Sequence, residues 1–479
     1  MSRSTIIVGI VGTGVAIAAT PMLIGWQAER LVRARVAQVS ADKSAAIRLR
    51  IDSYDRGWRG ANARISVIDR KGAPLLTLPA TIRHWPFTGG GPAEWVATPE
   101  LGNRLREALG PWGEKLPDLT TSTQLSWNGD LYTRIESSPF KRRVPEVAGG
   151  TFEIAAIAGT VDWRRDGTLK YEINLPVLRI ERLAFGRTGA PDMAEFKGAR
   201  LAGEGALGVA ERQWNQKGSL TAASMAIADN GISTLTATMP AFTFATRDEG
   251  AFVGMQYNMS ASTITANNAV QNFTNGVTEL YFDARHLAKE PLNRMLDAAA
   301  KSADRSVAEP PPQGKELDAD QSVMDMLQDL LRGSPTADMR YTLKGQEGRI
   351  EFKLAVAFDG QDFDPNGGLD AWLRRLTAEL NARATTALVI KGTRAGTEAA
   401  AGMMGAPRRH GGGGEPAPPP PQDTDAVVQQ QLRAAEAQGW VRIEGNEVAT
   451  TVEWKVGHLT INGKDMDVLR DLARGITGR

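Results

Sequence analysis

The chain has 479 residues, of which 42% are hydrophobic and 23% are charged, and its formal net charge is +1. This balance is typical of a globular protein that buries a core. The near-zero charge argues against a nucleic-acid partner, because a phosphate backbone binds a concentrated positive field. The absence of cysteine excludes disulfides, thiolate nucleophiles and cysteine-bound metals.

The N-terminal region predicts a single membrane span. Residues Ser4 to Trp26 contain no charged side chain, and a helix of that length crosses the roughly 30 Å hydrocarbon core of a bilayer. Trp26 and the arginines after it suit the membrane interface. A cleaved signal peptide is the alternative, with Ala16-Ile17-Ala18 imitating a cleavage site. The apolar run continues to Ile24, which favours an uncleaved anchor.

The charge pattern around this segment does not fix its orientation by itself. A first span followed by a large body usually exports that body. We therefore expect residues 1–3 in the cytoplasm and the rest outside it, and we expect a helical stalk at 27–40 to lead out of the membrane, since Leu31, Val32, Val36 and Val39 recur near helical spacing.

Most of the remaining chain predicts β-strands. The clearest strand is Arg349 to Phe358, in which apolar and polar side chains alternate. Similar patterns occur at 169–175, 125–135 and 450–456, and a weaker alternation runs from Gly218 to Thr246. Turn signals separate the strands, at Asn128-Gly129, Asp166-Gly167, Asn230-Gly231 and Asn275-Gly276. Repeated hairpins of this kind describe an antiparallel meander.

Helical patterns are local. They predict helices at Glu100–Ala108, Pro291–Lys301, Val323–Leu331, Leu369–Arg383 and Asp423–Gln438. Two stretches rich in Pro and Gly, 302–320 and 396–422, predict flexible linkers.

The expected fold class is mainly β with several helices (α+β), in which an N-terminal transmembrane helix precedes a long, curved antiparallel meander sheet. The expected parts are a cytoplasmic N-terminus (1–3), a transmembrane helix (4–26), a helical stalk (27–40), a first β-rich part (41–301), a linker or insertion (302–320), a helix with further strands (321–395), a second linker (396–422) and a C-terminal helix with a hairpin (423–479).

The motifs of known catalytic and cofactor sites are missing from the sequence. It contains no GxSxG elbow, no Walker A loop, no GxGxxG opening a helix and no HExxH. His84 beside Gly89-Gly90-Gly91 suggests a general base, but a histidine that fixes a turn explains it more simply. The run from Asp362 to Gly368 suggests a calcium loop, but it lacks the downstream bidentate Glu, and a turn with a helix cap explains it more simply. The sequence therefore assigns no catalytic residue, no cofactor-binding residue and no metal ligand.

Several short motifs resemble the bacterial YdgA-like family, whose function is unknown. The segment 54–64 resembles its early Tyr-x-Arg-Gly-aromatic signature, and 81–87 is similar to its Ile-x-His-Gly-Pro motif, with Trp85 in place of the glycine. Near the end, Gln438-Gly439 and the turn at Asn462-Gly463 resemble its closing elements. The resemblance implies a Gram-negative inner-membrane protein with a periplasmic domain, and it implies no reaction. The residues themselves predict structure: glycines for a turn after Arg56, and a two-residue hairpin at 462–463.

We therefore expect a single-pass inner-membrane protein with most of its chain in the periplasm, and we expect no enzyme activity and no cofactor. Its partners would be the bilayer, through the N-terminal helix, and a lipid or an envelope protein on the long sheet. Two alternatives stay open. One is a hydrolase whose site brings His84 together with Asp362 and Asp364, and the other is a structural or assembly scaffold.

Overall fold

A computed structural model gives the fold. It describes residues 25–34, 36–37, 40, 47–58, 60–69, 72–84, 91–109, 117–144, 150–181, 193–206, 214–229, 233–267, 272–295, 327–363, 368–391 and 424–466. The chain divides into two compact units, Met1–Asn230 and Gly231–Arg479. The division falls within 41–301, which the sequence presented as one part. Both predicted linkers and residues 1–24 lie outside the described residues.

The first unit consists mostly of strands, with two short helices in its described part. Its elements are α1 (25–34), β1 (Ile47–Arg56), β2 (Gly60–Asp69), β3 (Pro74–His84), β4 (Ala93–Ala97), β5 (Glu100–Leu101), α2 (Asn103–Leu109), β6 (Leu119–Leu125), β7 (Leu131–Ser137), β8 (Phe140–Val144), β9 (Gly150–Ile154), β10 (Ala158–Trp163), β11 (Thr168–Glu181), β12 (Met193–Ala206), β13 (Gln216–Thr221) and β14 (Ser224–Asp229).

These strands form an antiparallel meander in which neighbours in sequence are mostly neighbours in space. β1 pairs with β2, β2 with β3, and β3 with both β4 and β5. The ladder continues through β6, β7, β10, β11 and β12. The long strands β11 and β12 each face two shorter strands in succession, β10 and β9 on one side and β13 and β14 on the other. The turn predicted at Asn128-Gly129 joins β6 to β7, and Asp166-Gly167 joins β10 to β11.

Helix α1 packs against the sheet of the first unit. Ala28 and Val32 are buried, and Ala28 contacts a cluster that includes several alanines of β2, β3 and β4. These small side chains let the helix approach the strands closely. Glu29 pairs with Arg56 of β1 at 3.5 Å, whereas Leu31 lies 3.9 Å from a Cβ placed on Gly129, in the β6–β7 turn. Helix α1 therefore contacts the sheet from β1 to the β6–β7 turn, and described residues of the segment predicted as a helical stalk at 27–40 contribute to the core.

The second unit repeats the same construction. Its elements are β15 (Ser233–Thr238), β16 (Ala241–Glu249), β17 (Phe252–Ala261), β18 (Thr263–Asn267), β19 (Asn272–Ala288), α3 (289–295), α4 (327–331), β20 (Thr336–Gly345), β21 (Gly348–Phe358), α5 (Gly368–Arg375), β22 (Leu376–Thr385), α6 (386–391), α7 (Thr424–Gln438), β23 (Arg442–Glu444), β24 (Glu447–Lys455), β25 (His458–Ile461) and β26 (Lys464–Met466).

Here too every described pairing joins antiparallel neighbours. The order runs from β16 through β17, β19, β20, β21, β22, β24 and β25 to β26. β15 pairs with β18, and β23 pairs with β24. The prediction of a mainly β, antiparallel fold is confirmed. The predicted turn at Asn462-Gly463 is confirmed as well, since φ is positive at both residues (51° and 79°), as a two-residue hairpin requires.

One predicted helix is partly wrong. The segment Leu369–Arg383 was expected to be helical throughout, but α5 ends at Arg375 and β22 begins at Leu376. Leu376, Ala378 and Leu380 recur every second residue, which suits a strand, while Leu376 and Leu380 are also four apart, which suits a helix. The pairing of β22 with β21 and β24 decides between the two periods.

Two smaller expectations are also wrong. Asn275-Gly276 is not a turn but an irregularity within β19, where the register with β20 shifts between Asn275 and Thr278. A Cβ placed on Gly276 would lie 2.6 Å from the carbonyl oxygen of Lys344, so glycine permits a close approach of two backbones there. Val456, predicted to share a face with Trp454, lies in the β24–β25 turn with φ of 53°.

The other predicted helices agree in part with the structure. The pattern at 100–108 contains β5 and then α2, and α7 matches the helix predicted at 423–438. Helices α3 and α4 match the described parts of the patterns at 291–301 and 323–331.

Candidate functional site

An apolar stripe crosses the second unit on one face of its sheet. In β21, Phe352, Leu354 and Val356 point to the same side because alternate residues of a strand share a face. Their register partners in β20 and β22 are mostly apolar as well. We define the apolar stripe as the following side chains of this face: Phe242, Phe244, Met255, Tyr257, Met259, Leu280, Phe282, Met339, Tyr341, Phe352, Leu354, Val356, Leu380, Val452, Trp454, Leu459 and Ile461.

The stripe is long enough for an extended ligand. It crosses the strands from β16 to β25, and a spacing of about 4.8 Å between neighbouring strands gives a span of roughly 34 Å. That span is similar to the thickness of a bilayer's hydrocarbon core, roughly 30 Å.

The β16 end of the stripe is rich in aromatic rings and accessible to solvent. Phe242 stacks on Tyr257 with ring centroids 6.1 Å apart, and Tyr257 lies 6.2 Å from Phe282. Phe242 is 37% exposed and Met259 is 51% exposed. Aromatic and methionine side chains offer large contact areas, and methionine adapts to irregular apolar partners. This end of the stripe therefore has the chemistry of an apolar contact surface.

Near α5, at the C-terminal ends of β21 and β24, the apolar face is covered by protein. Phe358 packs edge to face against Phe363, with centroids 5.0 Å apart, and Phe363 packs in the same way on Trp372 of α5 at 4.9 Å. The indole Nε1 of Trp454 donates a 2.7 Å hydrogen bond to the carbonyl of Leu373. These contacts make one end of the face a local core.

The opposite face of the same sheet is charged and hydrogen-bonded. Buried Asp283 accepts a 2.6 Å hydrogen bond from Arg285. Arg349 donates two hydrogen bonds to Glu447, at 2.7 and 3.1 Å, and these bonds lower the pKa of the Glu447 carboxyl. Charged side chains and their hydrogen-bond partners occupy this face, so it is compatible with contact to water. The face that carries the stripe is the apolar one.

The first unit divides its faces in the same way. Tyr171 and Ile173 of β11 share the apolar side, where Leu201 and Leu220 in β12 and β13 are exposed. On the other side Glu204 pairs with Lys217 at 2.6 Å and with Lys170 at 3.5 Å. Both units therefore present sheets with one apolar and one charged face.

His84 is a core residue of the first unit. It ends β3, its side chain is 0% exposed, and neither ring nitrogen has a hydrogen-bond partner among the described residues. A Cβ placed on Gly25 would lie 2.6 Å from its Cε1 atom, so the backbone of α1 covers the ring. The ring is packed inside the protein and does not line a cleft.

The carboxylates of the hydrolase hypothesis belong to the second unit. Asp362 is exposed in the turn after β21, with φ of 53°, and Asp364 lies outside the described residues. In the part of the chain that the structure covers, no group of three or more His, Asp or Glu side chains is placed to hold a metal ion. The hydrolase and calcium hypotheses are not supported by any described cluster.

A cleft of about 580 Å³ beside α2 is lined by arginines whose positive charges are largely offset by nearby carboxylates. Arg64, Glu100 and Arg104 line it. Arg64 pairs with Glu100 at 3.1 Å, and Arg104 pairs with Asp69. A third arginine, Arg106, lines the cleft and donates a 3.3 Å hydrogen bond to the carbonyl of Leu101. The carboxylates of Glu100, Glu107 and Asp69 offset the three cations, so the cleft offers an anion little attraction.

Tyr54 provides a pH-dependent test of how α1 packs. Burial, and then the charge of Glu29 on α1, raise the pKa of its hydroxyl from 10.0 to about 12. A raised pKa of this kind stabilises the fold fully below pH 10, and the contribution is lost as pH rises towards 12. We expect Tyr54→Phe to remove this loss, so that between pH 8 and pH 11 the wild type loses about 1 kcal/mol more unfolding free energy than the variant. Urea unfolding at the two pH values measures the difference, and equal losses would contradict the packing described.

The predicted membrane span falls almost entirely outside the described residues, which begin at residue 25. Among the helices that the structure does describe, none combines the length and the apolar character needed to cross a bilayer.

Sequence reasoning missed the apolar stripe as a single surface. It identified the apolar side of β21 and the phenylalanines at 242 and 244, but the surface exists only because the register aligns those sides over successive strands. The signal was the alternation within each strand.

Comparison with known proteins places the chain in a family without assigning it an activity. No curated protein and no solved structure matches it. The model of one family matches residues 1–468, which is nearly the whole chain. The protein therefore belongs to DUF945, a family of bacterial proteins of unknown function.

Proposed function

We propose that this protein is a membrane-anchored, non-enzymatic envelope protein that holds the acyl chains of a lipid against the apolar stripe of its second unit. The carrying observation is the stripe itself: it runs across successive strands, its β16 end is exposed, and its opposite face is charged. Contiguous exposed apolar patches mark binding surfaces, and Phe242 and Met259 expose such a patch at the β16 end. The uncharged run at residues 4–26 supports an anchor in the inner membrane, with the body in the periplasm.

A lipid explains the stripe better than a folded protein partner. Transfer of apolar area from water contributes about 25 cal/mol per Å², and a narrow, long strip suits a chain molecule. The stripe also offers few polar groups to fix the orientation of a protein partner, which the rims of protein interfaces normally supply.

A charge within the stripe tests the proposal. We expect Phe242→Glu to reduce the phospholipid that co-purifies with the full chain at least several-fold, because a carboxylate is costly to bury against acyl chains. The matched control is Thr243→Glu, which introduces the same charge at the next residue of β16, on the opposite face. Both variants keep the same N-terminal segment, so lipid bound around the anchor affects both equally.

Mass spectrometry of extracted lipid, normalised to protein, gives the result. The expected order is wild type equal to Thr243→Glu, with Phe242→Glu far below. Equal lipid in all three proteins would reject the stripe as the lipid site.

A further inference from the structure

One edge of the first unit gathers the C-terminal ends of β1, β3, β6 and β10. Because the sheet is an antiparallel meander, alternate strands end at the same edge. The register places these strand ends beside one another, through the pairs Ala61–Ile82, Ala93–Leu125 and Leu131–Trp163. We call this edge the turn edge.

The described part of helix α1 has its N-terminal side at the turn edge. Its first described residue, Gly25, packs on His84 at the edge. Beyond the helix, the hydroxyl of Ser40 accepts a 3.0 Å hydrogen bond from the amide of Leu49, near the opposite end of β1. Residue 25 therefore lies at the turn edge, and the chain after the helix reaches the opposite edge.

In the described part of the first unit, the exposed tryptophans lie at the turn edge, where Trp163 is half-buried. Trp26 in the first turn of α1, Trp58 in the β1–β2 turn and Trp127 in the β6–β7 turn are 55%, 52% and 56% exposed. By contrast, Trp95 in the interior of β4 is half-buried and Trp214, shortly before β13, is buried. An indole in water exposes a large apolar area, whereas at a membrane interface its apolar body and its N–H group are both accommodated.

The charges at this edge are mixed. Arg30 lies over the ring of Trp26, with 5.9 Å from its Cζ atom to the ring centroid. Arg165 in the β10–β11 turn donates its backbone N–H to Asp130 at 2.7 Å, and Asp166 lies next to it. Acidic groups therefore accompany the arginines, so the apolar character of the indoles and not a net positive charge selects the partner.

We propose that the turn edge rests in the interface of the bilayer that the N-terminal segment enters, with Trp26, Trp58 and Trp127 at the level of the lipid head groups. The uncharged sequence from residue 4 to residue 24, directly before α1, identifies the occupant as a lipid surface. The inference rests on the proposed anchor and is independent of lipid binding on the apolar stripe. Its consequence is a fixed orientation of the first unit, with its strand ends towards the membrane.

The natural absence of cysteine permits a direct test. Single variants Trp58→Cys, Trp127→Cys and Ser138→Cys of the full chain are spin-labelled and reconstituted into phosphatidylcholine vesicles. Ser138 is the control because it is exposed and follows β7 in the same unit, at the end of that strand opposite to the turn edge. For each spin label, the collision rate with oxygen, which partitions into lipid, is compared with the collision rate with a water-soluble nickel complex.

We expect labels at 58 and 127 to collide with the nickel complex several-fold less than the label at 138, and relatively more with oxygen. Equal nickel accessibility at the three positions, whether all open or all protected, would overturn the proposal. Flotation of the vesicles distinguishes two reasons for high nickel accessibility at 58 and 127. Protein that does not float with the vesicles has no anchor. Protein that floats but whose labels are accessible to nickel has an anchor and a turn edge held off the membrane. Neither result bears on the Phe242→Glu comparison, which reports on the stripe alone.

Discussion

Replacing Gly91 by alanine is expected to destabilise the first unit by about 2–4 kcal/mol. A Cβ at this position would lie 1.8 Å from the carbonyl oxygen of Leu125 and 2.8 Å from its carbonyl carbon. These are backbone atoms, so no side-chain rotation relieves the overlap. Leu125 belongs to the core cluster that packs against α1, and the shift needed to admit the methyl group would separate strands around that cluster.

The control for this prediction is Gly72→Ala in the same unit. Gly72 has φ of 82°, and no atom lies within 4 Å of the point that an alanine Cβ would occupy, so alanine there meets only backbone strain, about 1–2 kcal/mol. Urea unfolding followed by circular dichroism gives both values. A Gly91→Ala variant no less stable than Gly72→Ala would show that the chain is looser around Leu125 than described.

Strands with unambiguous alternation were predictable from the sequence. The pattern at 349–358 admits only period two, and β21 occupies Gly348–Phe358. Turn chemistry was equally informative where positive φ is required, as at Asn462-Gly463. The same signal failed at Asn275-Gly276, because the glycine there serves a close backbone approach inside a long strand, which only the neighbouring strand creates.

Some segments have apolar residues whose spacing fits both a helix and a strand. In these segments, tertiary contacts determine which of the two forms. The spacing of Leu376 and Leu380 suits a helix as well as a strand. Backbone pairing with β21 and β24 places them in the sheet. The helical pattern after Trp26 was visible, but its burial depends on alanines in β2, β3 and β4 that carry no signal of a helix partner.

The candidate site was less predictable than the fold. The residues of the apolar stripe lie in separate strands. They form one surface only in the observed strand register, which the sequence alone does not reveal. At His84 the sequence suggested a functional site that the structure does not support. A histidine among aromatic and glycine residues indicated a general base, but its ring is buried beneath α1. The motifs at both ends of the chain predicted a bacterial family of unknown function over nearly the whole length, and the match to residues 1–468 confirms that much.

Photo-crosslinking in intact membranes tests the central claim most directly, namely that lipid acyl chains lie on the apolar stripe. Two tyrosines form a matched pair for replacement by benzoylphenylalanine. Tyr257 lies on the stripe and stacks on Phe242, whereas Tyr281, in the paired strand β19, is on the charged face with Arg340 over its ring.

After irradiation of cells fed a labelled fatty acid, we expect a strong lipid adduct on the chain carrying the photoprobe at 257 and at most a trace on the chain carrying it at 281. The expected difference is nearly all or none, since a benzophenone reacts only with groups in contact. Equal labelling at the two positions, or none at 257, would contradict the account.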